Sequence, residues 1–277
     1  MFLVHNGKEV QKEEALVPIY DPALFADFRI YETLRIEEGR VVFLGDHIDR
    51  ILNSAKIIGL HLSCTTTDIE NWIDQCIQAN HSSFAIYRLI AHGDTQDNRI
   101  SQVFIYPEDF NQPTVEERRA GIKVVTFTGE RIYHSAKTIS RLTQFRAARY
   151  AKENNAFEVI LVGESGRVHE GVRSNIFIIK DGKVITPSLD TVLPGIRRRY
   201  VIELAKKRGL EVEERSVPKN ELYDADELFI TSTILELAPV GEIDGHRLPR
   251  GRSIYNKLYQ DFQALKADYL NEKITVS

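Results

Sequence analysis

Short β-hairpins that alternate with amphipathic helices are the feature of this sequence that most limits its fold. RIYETLRI and GRVVFLGD are joined by the polar turn EEGR, FEVILVGESGRVHEG folds back on itself, and SNIFIIKDGKVITP turns at Asp181-Gly182. Asn-Gly or Asp-Gly between apolar segments favours a tight antiparallel turn, as HNGK also does near the N-terminus. Hairpins mixed with helices indicate an α+β fold and not a doubly wound parallel sheet.

Five longer segments have apolar residues at the spacing of a helix. In DHIDRILNSAKIIGL we expect Asp46 to cap a helix whose apolar face includes Ile48 and Ile51. PGIRRRYVIELAKKRG has a proline near its first turn and basic residues before Gly209, which is typical of a complete helix. The other three segments are TTDIENWIDQCIQAN, RLTQFRAARYAKENN and SIYNKLYQDFQALKADYL.

A polar segment with two prolines, PEDFNQPTVEERRAG at residues 107–121, predicts a linker between domains. We therefore expect a smaller N-terminal α/β domain of residues 1–117, a linker at 118–121 and a larger domain of 122–277. With 277 residues the chain is long enough for two domains, each with its own core.

Composition excludes several classes of function. The formal net charge is −4, which gives no reason to expect nucleic-acid binding. No P-loop, G-x-G-x-x-G or H-E-x-x-H motif is present, and the histidines lack metal-ligand spacing, so we expect no metal. The two cysteines, Cys64 and Cys76, are expected to be reduced. Without a signal peptide or an apolar run near 20 residues, we expect a cytoplasmic protein that does not enter membranes.

Lys137, in SAKTISRL, has only short, neutral or apolar neighbours. A lysine in such a setting can lose its charge by desolvation and attack a carbonyl. For this segment taken alone, an exposed lysine at a strand or helix end is the more frequent explanation. Glu170, in GRVHEGVRSNIF, is a carboxylate in a glycine-flanked turn. An ordinary hairpin turn is the alternative.

Two further segments suit an anion. The helix predicted to begin at PGIRRRY presents the backbone N–H groups of Ile196 and Arg197, and a helix start is a ready phosphate site. DELFITST places Thr231, Ser232 and Thr233 at the end of a strand, where their hydroxyl groups are able to complete such a cradle.

In this order the segments resemble one family closely. The series Lys137, EGVRSNIF, TPSLDTVLPGI, DELFITST and PVGEIDG, preceded by RIYETLRI and HIDRILNSA, is similar to the fold-type IV pyridoxal-phosphate enzymes. This family contains branched-chain aminotransferases, D-amino-acid transaminases and aminodeoxychorismate lyases. The resemblance covers nearly the whole chain and implies a homodimer in which the cofactor lies in the cleft between the two domains.

The resemblance implies a role for each matched residue. Lys137 would bond to the cofactor aldehyde and move the substrate proton, and Glu170 would face the pyridine nitrogen. Leu193 would pack against the ring, and Ser174 and Asn175 would stand beside it. The implied phosphate site consists of Arg50, Gly195, Ile196, Arg197, Ser232 and Thr233.

Substrate choice is less clear from the sequence. Tyr31 matches the tyrosine that D-amino-acid transaminases place at the substrate carboxylate, but their Arg-x-His pair is absent, and Arg99 lies where the histidine would be. A planar guanidinium suits a carboxylate. The candidate arginines are Arg29, Arg88, Arg99 and Arg173; for each, a structural salt bridge is the alternative.

Tyr133 is a further candidate for the pocket, with a core tyrosine as its alternative. We expect amino transfer between a D-amino acid, or a broad range of amino acids, and a 2-oxo acid. A branched-chain enzyme is the nearest alternative. An aminodeoxychorismate lyase that releases pyruvate is a second enzyme class, and a non-catalytic cofactor carrier is a third.

Overall fold

The computed structural model describes residues 1–93, 101–139 and 142–272, and the chain forms two compact units. Unit 1 consists of Met1–Phe110 with the short segment that starts at Ala136 and the segment that starts at Asp268. Unit 2 consists of Asn111–Ser135 and the later stretch that ends at Ala267. Helices make up 34% and strands 33% of the structure, which confirms the predicted α+β class.

Unit 1 contains an antiparallel sheet with the strand order β2-β1-β6-β5-β3-β4. Its strands are β1 (Phe2–His5), β2 (Lys8–Gln11), β3 (Arg29–Glu37), β4 (Arg40–Val41), β5 (Phe84–His92) and β6 (Gln102–Glu108). Its helices are α1 (Pro22–Phe25), α2 (Leu44–Ile58) and α3 (Thr66–Ala79). Side chains alternate between the faces of a strand, so Ile30, Leu34 and Ile36 of β3 join the core with α2 and α3. Tyr31 and Thr33 consequently face the other way.

Unit 2 contains a mixed sheet with the strand order β12-β11-β10-β14-β15-β7-β8-β9-β13, and β16 pairs with β15. Its strands are β7 (Ile122–Thr128), β8 (Glu158–Val162), β9 (Arg167–Gly171), β10 (Asn175–Lys180), β11 (Lys183–Pro187), β12 (Val212–Arg215), β13 (Val217–Pro218), β14 (Glu227–Ser232), β15 (Glu236–Ile243) and β16 (His246–Arg247). The helices that begin in it are α4 (Val115–Ala120), α5 (Leu142–Glu153), α6 (Ile196–Lys207) and α7 (Ser253–Asn271). The predicted hairpin at Asp181-Gly182 is confirmed, with both residues at positive φ.

The predicted hairpin of RIYETLRI and GRVVFLGD is confirmed, but its second strand is shorter than predicted, and the predicted cap at Asp46 was wrong. Strand β4 ends at Val41, and α2 begins at Leu44 with Phe43 in the left-handed region at φ 61°. The Phe43 ring lies 4.9 Å from the ring of Tyr269, whose hydroxyl accepts the Leu44 N–H at 2.9 Å. This distant tyrosine stabilises an early helix start, and Asp46 therefore lies inside the first turn.

The segment predicted to be a linker contains α4. Thr114 and Glu117 form a capping box, in which the Glu117 N–H donates to the Thr114 hydroxyl at 3.1 Å and the Glu117 carboxylate accepts the Thr114 N–H at 2.7 Å. The compact units separate between Phe110 and Asn111. The division at residues 118–121 stays a prediction.

Candidate active site

The backbone around Lys137 is fixed against β3 of unit 1. The Tyr31 N–H donates to the Lys137 carbonyl at 2.9 Å, and the Ile139 N–H donates to the Arg29 carbonyl at 3.1 Å. The Lys137 N–H donates to Ser54 Oγ of α2 at 3.2 Å. Lys137 therefore belongs structurally to unit 1, although the predicted division placed it in the larger domain.

The ring of Tyr31, a predicted substrate residue, contacts the Lys137 amine and the guanidinium of Arg88, a second predicted substrate residue. Lys137 Nζ lies 4.6 Å from the centre of the Tyr31 ring, and the Arg88 guanidinium carbon lies 4.8 Å from the same centre. An aromatic face attracts cations, and here it brings an amine and a guanidinium to one buried ring. Arg88 also donates to Thr33 Oγ1 at 2.8 Å and pairs with Glu108.

Arg50 is held by a buried carboxylate of β3. Its Nε and Nη2 atoms each lie 2.7 Å from an oxygen of Glu32, and His47 Nδ1 lies 2.8 Å from the same carboxylate. Burial alone would raise the pKa of Glu32, but the charge and hydrogen bonds of Arg50, helped by His47, hold it well below its usual range. The paired carboxylate fixes the direction of the Arg50 guanidinium.

Glu32 and His47 were not predicted from the sequence. Glu32 follows Tyr31 directly, and His47 precedes Arg50 by three positions on α2. Side chains three apart share a helix face, so this spacing was a usable signal.

In unit 2, donors from three separate segments hold the Glu170 carboxylate. Arg131 Nε lies 2.7 Å from Oε1, the Leu193 N–H donates to Oε2 at 2.9 Å, and Asn175 Nδ2 lies 3.4 Å from Oε2. Glu170 is 2% exposed, so this charge is buried with partners on both oxygens. Arg131 was not predicted from the sequence either, because no local pattern links it to a residue on a later strand.

Asn175 connects Glu170 to the start of α6. Its Nδ2 also donates to the Leu193 carbonyl at 3.0 Å. A Cβ atom on Gly195 would lie 1.9 Å from Asn175 Oδ1, so only glycine allows this approach. Helix α6 begins at Ile196 as predicted, and its cap residue, Gly195, has no side chain to accept the N–H groups of the first turn.

The β14–β15 turn supplies hydroxyl groups. Ser232 Oγ accepts the Leu235 N–H at 3.0 Å, which leaves its own hydrogen to donate to an anion. Thr231 Oγ1 is buried and has no hydrogen-bond partner among the described residues. Thr231 pairs with Asn175 on the neighbouring strand β10, so this turn and the Glu170 cluster are adjacent.

Ser174 and Arg173 differ in their surroundings. Ser174 is buried, and its hydroxyl lies 3.3 Å from a carboxylate oxygen of Glu158. Burial raises the pKa of Glu158, against opposing contributions from Arg173 and hydrogen bonds. Arg173 itself is exposed.

The remaining substrate candidates are not gathered at one point. Arg29 pairs with Asp27 at 2.8 Å and lines a cavity of about 570 Å³ in unit 1. Tyr133 is 53% exposed, and Arg99 lies outside the described residues.

The donors of each unit suit one part of a phosphorylated pyridine cofactor. In unit 1, Lys137 offers an amine for an aldehyde, and in unit 2, Glu170 offers a fixed carboxylate for a ring nitrogen. The α6 start and the Ser232 hydroxyl offer donors to a phosphate, and the buried Thr231 hydroxyl lies on the strand that leads to Ser232.

Comparison with known proteins agrees with this chemistry. Residues 29–243 match the family model described as amino-transferase class IV, which is most of the chain. The chain belongs to this family. The D-alanine aminotransferase of Bacillus licheniformis is 31% identical over 91% of each chain.

Two solved structures of class IV enzymes extend the comparison. The branched-chain aminotransferase of Thermoproteus uzoniensis, solved with norvaline, has a TM-score of 0.88 and 30% identity over 98% of this chain and 96% of its own. The T.th. branched-chain aminotransferase, solved with pyridoxamine 5'-phosphate, has a TM-score of 0.87 and 25% identity over 97% and 94%. The predicted family, enzyme class and cofactor type are thereby confirmed. Among the residues described, no helix has the length and apolar character needed to cross a membrane.

Proposed function

We propose that this class IV aminotransferase uses pyridoxal phosphate to move an amino group between a D-amino acid, or a broad range of amino acids, and a 2-oxo acid. The observation that carries the proposal is the buried Glu170 carboxylate, held by Arg131 and the Leu193 N–H near the start of α6. When bound, the cofactor accepts the amino group and delocalises the electron pair left at the substrate Cα.

Lys137 is the proposed base. Its amine would take the proton from the substrate Cα and carry it to the cofactor. Hydrogen bonds to Tyr31 and Ser54 fix the backbone of Lys137. The side chain is long enough for its amine to carry a proton from the substrate to the cofactor. The amine lies against the Tyr31 ring, which limits the positions that it can adopt.

Glu170 is the proposed partner of the pyridine nitrogen. A carboxylate at that position keeps a proton on the nitrogen and so stabilises the negative charge that develops in the ring. Arg131 and Asn175 keep the carboxylate in place. Leu193 would pack against the cofactor ring, and Ser174 and Asn175 would limit the tilt of that ring.

The phosphate is proposed to bind to Arg50, to the N–H groups of Ile196 and Arg197, and to the hydroxyl groups of Ser232 and Thr233, with Gly195 allowing close approach. A guanidinium and a helix start both favour a dianion. The pair with Glu32 fixes the Arg50 guanidinium, so this cation would lose little rotamer freedom on binding the phosphate.

The substrate carboxylate is proposed to bind to Arg88 and Tyr31, because the Tyr31 ring contacts both the Lys137 amine and the Arg88 guanidinium. Arg29, Arg99 and Arg173 remain the other candidates for this role. Arg88→Met should raise KM for the amino donor about tenfold or more, since one charged hydrogen bond contributes about 1.5–3 kcal/mol. Arg35→Met, on the same strand as Tyr31, is the matched control.

A donor screen tests the proposed reaction. D-Alanine, D-glutamate, L-leucine and (R)-amines are compared with 2-oxoglutarate as acceptor, and D-amino acids should react fastest. Turnover of L-leucine alone would contradict the D-type or broad-range assignment. Release of pyruvate without an oxo-acid acceptor would indicate the lyase reaction instead.

We further propose a cytoplasmic homodimer. Four large apolar side chains of unit 1, Leu16, Ile19, Tyr20 and Phe25, are 74–80% exposed, and burial against a second copy would remove them from water. Both cysteines are free, as expected in a reducing compartment. Light scattering of the purified protein should give the mass of a dimer; a monomeric mass would contradict the assembly.

A further inference from the structure

A strained residue closes the turn that presents Ser232 and Thr233. Strands β14 and β15 form a hairpin in which Ser232 pairs with Glu236, so the turn between them is only three residues long. Glu236 has φ +60°, in the left-handed region that glycine normally occupies. A side chain in this conformation persists only where its surroundings hold it.

The surroundings that hold Glu236 are on α7. Lys266 Nζ lies 2.6 Å from Glu236 Oε1, and Gln263 Nε2 lies 3.0 Å from Oε2. The side chains of Glu236 and Lys266 are nearly buried, at 9% and 11% exposed. A buried carboxylate and a buried ammonium stabilise each other only in a fixed geometry, so this contact defines where the turn ends.

Helix α7 is itself firmly attached to β14. The Glu227 carboxylate accepts the N–H groups of Ile254 and Tyr255 at 2.9 and 2.7 Å, which caps the start of the helix. Phe262, one turn before Lys266, is fully buried. Lys266 is therefore held in place, and its contact with Glu236 fixes the position of the β14–β15 turn.

We infer that the Glu236–Lys266 pair positions the β14–β15 turn for the phosphate of the cofactor. The pair does not touch the phosphate; it holds Ser232 and Thr233 at the angle from which their hydroxyl groups donate. This inference rests on the proposed function, because it assumes that the turn receives that phosphate.

The test compares two ligands that differ only in the phosphate. Apoprotein is titrated with pyridoxal 5'-phosphate and with pyridoxal, and both Kd values are measured by absorbance for the parent, Glu236→Gln, Glu236→Gly and Lys266→Met. The preference for the phosphorylated ligand should fall about tenfold, equivalent to about 1.4 kcal/mol, while pyridoxal affinity stays unchanged. Lys266→Arg should recover most of the preference.

Glu236→Gly distinguishes the ion pair from backbone strain. Glycine adopts φ +60° without strain, but it has no side chain to pair with Lys266. Glu236→Gln keeps the shape of the side chain, in case Lys266→Met does not fold. Arg208→Met is the matched control, since the Arg208–Asp261 pair also joins α7 to unit 2. An unchanged phosphate preference in folded Glu236→Gln and Glu236→Gly would overturn the inference. Failure of the parent protein to bind pyridoxal 5'-phosphate would instead contradict the proposed function.

Discussion

The surroundings of Lys137 and of Glu170 differ in what they fix. At Lys137 the backbone is tied to Tyr31 and Ser54, and the amine lies over an aromatic face. At Glu170 the functional carboxylate itself is held by Arg131 and the Leu193 N–H. This difference suits their proposed roles. The Lys137 amine must move to carry a proton between two atoms, whereas the Glu170 carboxylate must stay in one place.

The largest effect is expected at the lysine. Lys137→Ala should lower the rate of amino transfer by about 10²–10⁴-fold or more, because a positioned base contributes that much. Stopped-flow absorbance of the cofactor-loaded protein with an amino donor measures this step. Lys152→Ala, an exposed lysine on α5, is the control and should react at the parent rate. Equal rates for both variants would refute the role of Lys137.

A smaller loss is expected at the carboxylate. Glu170→Gln keeps the size of the side chain but removes its charge, and we expect a loss of about a hundredfold in kcat. Cofactor absorbance against pH should show a lower pKa for the ring nitrogen in the variant. An unchanged titration would show that Glu170 does not face that nitrogen.

Removal of Arg131 tests how the carboxylate is held. Arg131→Met leaves a buried charge with fewer partners, which should lower the free energy of unfolding by about 3 kcal/mol. Urea denaturation measures the change. The exposed Arg149–Glu153 pair on α5 provides the control, because Arg149→Met should change stability little. Equal, small effects in both variants would show that Arg131 is not a structural anchor.

The smallest effect concerns Glu158, whose pKa is raised by burial. Because the folded-state pKa of Glu158 is raised above its ordinary value of 4.5, the stability that this carboxyl contributes is greatest below pH 4.5 and is lost as pH rises through the folded pKa. Glu158→Gln should remove this loss and make the protein relatively more stable at neutral pH. Thermal unfolding at pH values of about 4.5 and about 7.5 measures it, and an unchanged pH dependence would contradict the raised pKa.

Turns and helix starts that depend on neighbouring residues were predicted from the sequence. Contacts between residues far apart in the chain were not. The Asp181-Gly182 turn and the start of α6 follow from neighbouring residues, and both agree with the structure. The left-handed Phe43 depends on Tyr269, far along the chain. In the same way, the Arg131–Glu170 and Lys266–Glu236 ion pairs form only when folding brings distant segments together. The prolines and polar composition of residues 107–121 led to the prediction of a linker, but this segment contains a short helix. The capping box of that helix is visible in the sequence as TVEE.

We propose that Lys137 bonds covalently to the cofactor aldehyde. Borohydride reduction of the cofactor-loaded protein, followed by proteolysis and mass spectrometry, locates the attached phosphopyridoxyl group. We predict that the group will be found on the peptide that contains Lys137. A phosphopyridoxyl group on another lysine, or none on any peptide, would contradict it.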